Sequence, residues 1–503
     1  MKVMYRLMAL LMILMLLAGM TTAFAADDGY PSSYTYNYDY WGDVRESPDA
    51  YRVDQVLFSS KLGLEVAMKK PQSLFVQGQD LYVCDTGNNR LLQIRRMGNS
   101  YELVRIIDTI QGTEPATFNT PSDVYVDEEE NIYVCDTNNY RVVMMDKDLN
   151  FIKAFTKPTD STFDQSLNFL PNKLAVDVSG RVFCLASNVN KGLVKFEADT
   201  TFTGYVGANK VVYNFAEYIW KEFFTTKEQR AQQESFVPTE YCNIYMDQDS
   251  FIYATNISFE EGDLMWDKAL PIRRLNGIGN DILIKNDRYP PIGDLWWVEG
   301  SVEQGPSKFM DITVMEDDIY VAIDRTRGRL FGYDSQGIML WAFGSIGNTE
   351  NTFNSAISIE HMGRDLFVLD QNEADITVFS PTEYGNLIYD ASSAYLSGDY
   401  DGSAEKWEEV LKHNANYNLA FIGIGRALMR QEKFEEAMEY FEMAHDRDNY
   451  GRAFRQYRKI WVEENIGWMV AVLAVVMIVP LVIRTIKKTR MEVESYERSK
   501  IAK

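Results

Sequence analysis

Residues Ile132–Met145 read IYVCDTNNYRVVMM, an apolar run, an Asp-Thr-Asn-Asn turn and a second apolar run. Leu81–Ile94, LYVCDTGNNRLLQI, carries every landmark 51 residues earlier, and Ile319–Gly332, IYVAIDRTRGRLFG, is a looser copy. In each, an apolar strand ends at an aspartate (Asp85, Asp136, Asp324) and an arginine follows five residues later (Arg90, Arg141, Arg329). Strand, polar turn and strand is a hairpin signal. Its return at a near-constant period makes the hairpin one part of a repeated unit.

Six such units are legible. They open at Ser73, Ser122, Lys173, Cys242, Phe309 and Ile357, each with an alternating apolar strand, a polar turn and a second apolar strand. Phe151–Phe155 and Met339–Phe343 read as further strands. Four strands in about fifty residues describe a propeller blade, and closing the sheets into a ring protects their edges. Gln55–Leu64 is expected to supply the strand that closes the ring.

The 503 residues carry a net charge of −23, which excludes nucleic acid as an obvious partner. Lys2 and Arg6, the apolar Leu7–Leu17 and the small-residue site Ala23-Phe24-Ala25 read as an export signal over residues 1–25. Ile466–Ile483 is an apolar run long enough to span a bilayer, with Trp461 and Trp468 before it and Arg484, Lys487, Lys488 and Arg490 after it. Together these predict a single-pass protein of the cell membrane, with the N-terminal portion outside, a span over 465–484 and a basic cytoplasmic tail over 485–503. Cys84, Cys135 and Cys184 fall in one slot of successive units and read as buried thiols.

The Asp85-Thr86-Gly87-Asn88-Asn89-Arg90 and Asp136-Thr137-Asn138-Asn139-Tyr140-Arg141 hairpins, with openings at Pro71, Pro121 and Pro171, resemble NHL repeats. The resemblance covers residues 55–385 and implies a six-bladed β-propeller. Blade three departs from the pattern with Leu185 at the aspartate position, blade six places Asp375 where the arginine belongs, and Thr255–Pro271 interrupts blade four.

Outside the repeats, Tyr-rich residues 26–54 read as a linker in preference to a strand laid on the propeller. Val211–Ser235 has Phe215, Ile219, Trp220 and Phe223 at helical spacing, which favours a helix packed on the propeller over a docking helix. Tyr289–Val298 places Trp296 and Trp297 after a Pro-Pro turn, where paired indoles can hold a sugar or a protein partner or plug the loop. After Asn386 the period turns helical. Tyr400 and Phe434, Ser403 and Ala437, Trp407 and Phe441, and Val410 and Ala444 are each 34 residues apart. That period resembles tetratricopeptide repeats over 386–464, with Phe421 and Arg426 as candidate contacts.

The predicted architecture is therefore multidomain, β then α: a six-bladed propeller, a tetratricopeptide-like hairpin array and one transmembrane helix. No catalytic motif is present. The blade aspartates and arginines read first as structural, the carboxylates capping turns and the guanidiniums pairing across blades. Three functions compete. The first is an extracytoplasmic binding and assembly module bound to a membrane complex, with a carbohydrate or peptide as further ligand. The resemblance implies bacterial accessory subunits near transport machinery, some with sugar importers. The second is a calcium-dependent lactonase or lyase, as some six-bladed propellers are, with the metal in the channel. The third is a ligand sensor working through a partner.

Overall fold

The computed structural model describes residues 35–39, 41–207, 241–259, 261–265, 269–285, 290–295, 305–349 and 352–501. They form two compact units, one reaching to Asn386 and the other comprising 39–41 and 387–503.

The first unit is a six-bladed propeller. Blade one runs Ser73–Gln77, Asp80–Asp85, Arg90–Met97 and Ser100–Ile107, each strand antiparallel to the one before. Blades two, three and five repeat this meander from Pro121, Pro171 and Phe309. Blade four keeps Tyr241–Met246, Ile252–Asn256 and Ile272–Leu275 among the described residues, with the short helix α1 (Glu261–Met265) inside its interrupted hairpin. Blade six combines Ala356–Met362, Asp365–Asp370 and Asp375–Pro381 with Tyr51–Phe58 as its outermost strand. An early strand thus closes the ring, beginning four residues before the expected segment.

Packing on both faces explains why the second strand of each blade is apolar throughout. In blade one, Leu81 and Val83 turn toward blade six and join Leu369, Ile376 and Val378. Tyr82 and Cys84 turn the other way and join Val124, Val134 and Val143 of blade two. Period two therefore assigns alternate side chains to two different interfaces. Each fully buried Val or Leu contributes about 1.5–3 kcal/mol. The cysteines follow this logic: all four are free, and Cys84, Cys135 and Cys184 lie buried in second strands.

The expected linker contains a strand. Tyr36–Tyr38 pairs with Val44–Glu46 and, through Tyr36 opposite Ala342, with the outer strand Met339–Phe343 of blade five. Both hydroxyls end on one carboxylate, since Tyr36 donates to Asp294 at 2.7 Å and Tyr38 donates to its other oxygen. A Tyr-x-Tyr spacing puts both rings on one face of a strand, which a composition reading does not weigh.

The second unit is helical: α2 (Glu383–Ser397), α3 (Tyr400–His413), α4 (Asn418–Arg430), α5 (Phe434–Met443) and α6 (Arg447–Ile501). Asp399 caps α3 by accepting from the Gly402 amide at 3.0 Å. Ser403 donates to the Ala391 carbonyl at 2.8 Å, drawing α3 onto α2. Glycines permit the next contacts, since a Cβ on Gly423 would overlap the Trp407 indole and one on Gly425 would stand 2.7 Å from the Phe441 ring. Helix α6 spans 55 residues, about 80 Å at 1.5 Å per residue. It includes an 18-residue window of mean hydropathy 2.8 in which nothing is buried, long and apolar enough to cross a membrane.

Candidate functional site

In every blade the innermost strand carries a polar residue facing the axis: Ser73, Asp123, Lys173, Asn243, Asp311 and Ser358. Ser73 donates to Asp123 Oδ1 at 2.5 Å, and the Leu174 amide donates to Asp123 Oδ2 at 2.8 Å. The Lys173 ammonium stands 3.7 Å from Asp123 Oδ1. Across the axis, Asp311 accepts from Asn243, from Ser358 Oγ at 2.7 Å and from the Ile359 amide at 2.9 Å. The Leu74 amide donates to Ser358 Oγ at 3.1 Å and so joins blade one to blade six. Neighbouring blades are thus tied by buried, charge-assisted bonds. Burial pushes the Asp311 carboxyl up to about 6, against the pull of Lys173 and of the donors from Ser358 and Ile359.

Two residues further along the same strands lie Phe75, Tyr125, Ala175, Tyr245, Thr313 and Glu360. A cavity of about 600 Å³ is lined by most of this layer and by the polar ring. The rings of Phe75 and Tyr125 meet at 4.9 Å between centroids, and both residues, like Tyr245, stay partly exposed. Glu360 is 6% exposed. Its Oε2 accepts long bonds of 3.3 Å from Thr313 Oγ1 and the His361 amide, and among the described residues no hydrogen bond reaches Oε1. Burial first, then Asp311, raises the Glu360 carboxyl well above the usual carboxylate range. Burial lowers His361 to about 4, so its imidazole is neutral near neutral pH, with Nδ1 2.7 Å from Thr313 Oγ1.

The hairpin motif lies at the other end of the second strand. Asp136 Oδ2 accepts from Arg141 Nε at 2.9 Å and Asn139 at 2.8 Å, while Oδ1 takes the Asn119 amide at 2.8 Å. Arg141 then donates to the Pro115 carbonyl at 2.7 Å. Asp85 and Arg90 repeat the arrangement, with Arg90 Nε at 2.6 Å and a bond onward to the Val66 carbonyl. The pair holds the loop entering its own blade and, among the described residues, makes no bridge to the next, contrary to the cross-blade pairing expected for the arginine. Blade five differs again. Asp324 accepts from Ser307 and the Lys308 and Thr326 amides, while Arg329 turns to Asp294 at 2.5 Å.

The family model described as NHL repeat matches residues 118–143, the segment from the entry loop through the Asp136–Arg141 hairpin. The propeller carries an NHL repeat. NHL repeat-containing protein 3 of Mus musculus is 28% identical over 142 residues, 26% of this chain and 40% of the relative. The chain thus spans about two fifths of the length of the curated relative it matches. Among solved structures, virginiamycin B lyase from Staphylococcus aureus aligns at 10% identity and TM-score 0.37, over 69% of this chain and 87% of its own. An auxiliary nutrient binding protein from Bacteroides ovatus aligns at 12% identity and TM-score 0.40, over 70% and 78%. A protein described as a putative gluconolactonase aligns at 9% identity and TM-score 0.37, over 67% and 94%. At such values these likenesses assign no activity.

A channel calcium does not fit the residues of this propeller. Among the described residues no three His, Cys, Asp or Glu side chains converge on one point. The axial carboxylates already accept protein donors, and Lys173 brings a fixed positive charge between them. Calcium takes six to eight oxygen ligands, waters included, and is held by carboxylates free to coordinate it.

Tyr289, Trp296 and Trp297 lie outside the described residues, as do the export signal and Val211–Ser235. Phe421 and Arg426 share α4, where Phe421 is half-buried and the Arg426 guanidinium stands 5.1 Å over the Tyr395 ring. The axial ring was missed in the sequence. Its signal is a polar residue interrupting an apolar strand at one register, Ser73, Asp123 and Lys173 falling fifty residues apart.

Proposed function

We propose that this chain is a membrane-anchored binding and assembly module, an accessory subunit of a membrane complex. The carrying observation is α6, whose apolar window is wholly exposed in a helix that begins within a helical array. Leaving that window in water opposes the hydrophobic effect along its whole length, whereas a hydrocarbon core about 30 Å thick accommodates it. The basic residues following it and the export signal favour a cytoplasmic C-terminus.

We read the helices as tetratricopeptide-like. Positions 34 residues apart are buried alike: Ser403 with Ala437, Trp407 with Phe441, and Val410 with Ala444. Small residues stand where helices cross, as in arrays that present recognition surfaces. The axial ring of the propeller is occupied with itself, which suits a scaffold more than a reaction centre. Phe421, Arg426, Tyr289, Trp296 and Trp297 are the contacts we assign to a membrane-protein partner or a carbohydrate or peptide ligand.

Co-purification tests the assignment. Paired Phe421→Ala and Arg426→Ala changes are expected to cut recovery of the partner at least about tenfold, the scale of an interface hot spot. Unchanged recovery with both that pair and Trp296→Ala/Trp297→Ala would remove these surfaces from the account.

A further inference from the structure

We propose that the axial cavity of the propeller binds a small organic ammonium ion, its charged end at Glu360 and its carbon skeleton against Phe75, Tyr125 and Tyr245. This needs only the propeller and stands apart from the membrane-assembly reading.

Two independent features of the cavity point to that chemistry. The first is charge. Glu360 is nine-tenths buried, lines the cavity and keeps one oxygen without a hydrogen bond among the described residues. Lys173 is the only lysine or arginine among the described lining residues, and its ammonium is engaged with the two axial aspartates. Asp247, at the wall, is paired with Arg274 at 2.7 Å. Among the described residues the carboxyl therefore has no cation of its own, and burial disfavours its ionised form until one arrives. The second feature is the aromatic wall. Three partly exposed aromatic side chains line the same space, and an organic ammonium is attracted to the π face of such rings.

Competing ligand classes fit less well. A divalent metal lacks its oxygen cluster. An anion would meet Asp123, Asp311, Glu360 and, at the mouth, the exposed Glu128. A neutral polyol brings no positive charge to the aromatic rings. The volume of about 600 Å³ suits a molecule of metabolite size.

Proton release follows. The groups facing Glu360 are Asp311 on the adjacent blade, Asp123, Lys173 and Tyr245 across the channel, and the neutral His361 beside it. Burial and Asp311 raise the Glu360 carboxyl well above the usual carboxylate range in the empty cavity. An entering ammonium stabilises the carboxylate and expels up to one proton, so its affinity rises with pH.

Isothermal titration of the full chain in detergent micelles tests this, with n-butylammonium as probe and n-butanol as its neutral counterpart. We expect the ammonium to bind at least about tenfold tighter than the alcohol, with heats that differ between phosphate and HEPES buffers as a proton is released. Glu360→Gln, which keeps the side-chain volume, should weaken binding by about tenfold or more and abolish the buffer dependence. Should that variant misfold, Tyr125→Leu at the half-exposed wall should still weaken the ammonium and spare the alcohol. Equal binding of the two probes, binding of neither, or a folded Glu360→Gln chain that binds unchanged would overturn the proposal.

Discussion

Arg329 donates to Asp294 at 2.5 Å and not to Asp324, its partner by the hairpin pattern. Asp294 is fully buried, also accepts the Tyr36 and Tyr38 hydroxyls, and has its amide held by Ser307 Oγ at 3.0 Å. The Arg329 guanidinium lies 5.3 Å over the Tyr36 ring. One carboxylate therefore joins the N-terminal strand, the loop at 290–295 and blade five. Replacing it with alanine removes the acceptor that Arg329, Tyr36 and Tyr38 share. Asp294→Ala is expected to destabilise the propeller by about 3–5 kcal/mol, as for other broken buried pairs. Asp294→Asn should cost less, because its carbonyl still accepts. Thermal unfolding of the full chain in micelles measures both, and a loss under about 1 kcal/mol for the alanine variant, the scale of an exposed pair, would contradict the assignment.

Blade six carries Asp375 opposite Asp370 in adjacent strands, where the first two blades pair aspartate with arginine. Burial, then Asp370 and Glu373, raise its carboxyl to about 6. The folded chain therefore holds this proton more tightly than the unfolded chain does. Stability contributed by this group is greatest below the unfolded value of about 4 and is lost as pH rises through about 6. Asp375→Asn should stabilise the fold by about 1 kcal/mol near neutral pH, a figure discounted for its partial exposure, and by nothing near pH ~4. Unfolding midpoints across that range decide the matter, and a gain that does not shrink on acidification would refute the cause given.

At Gly425 two effects oppose each other. Alanine is the better helix former by about 1 kcal/mol. Its methyl group would stand 2.7 Å from the Phe441 ring, and overpacking costs about 1–3 kcal/mol. The ring belongs to a fully buried side chain with little room to retreat. Gly425→Ala is therefore expected to lower stability by about 1 kcal/mol, and Gly425→Ala with Phe441→Leu to recover part of the loss. Circular dichroism at the helical signal checks this, and a gain in the single variant would show that α4 and α5 part easily.

The Asp85–Arg90 and Asp136–Arg141 hairpins were legible because their chemistry is local: turn, acid and base fall within six consecutive residues. The ring-closing strand was legible from topology, since the last blade requires an early strand to complete it. Asp294 was not legible, because its three partners come from positions 36, 38 and 329 and no periodicity relates them. The axial ring was legible only in part. Ser73, Asp123 and Lys173 keep a strict register, whereas insertions before Asn243 and before Asp311 erase it for the later blades. Glu360 was hidden for another reason: an acid in an alternating strand looks solvent-facing until the ring closes around it.

The most direct test of the membrane-assembly account is the mass of the particle purified under mild detergent from native membranes. The account predicts one copy of this chain with a membrane protein at fixed stoichiometry, resistant to repeated washing and lost when α6 is removed. A micelle holding this chain alone, monomeric and folded, would contradict it.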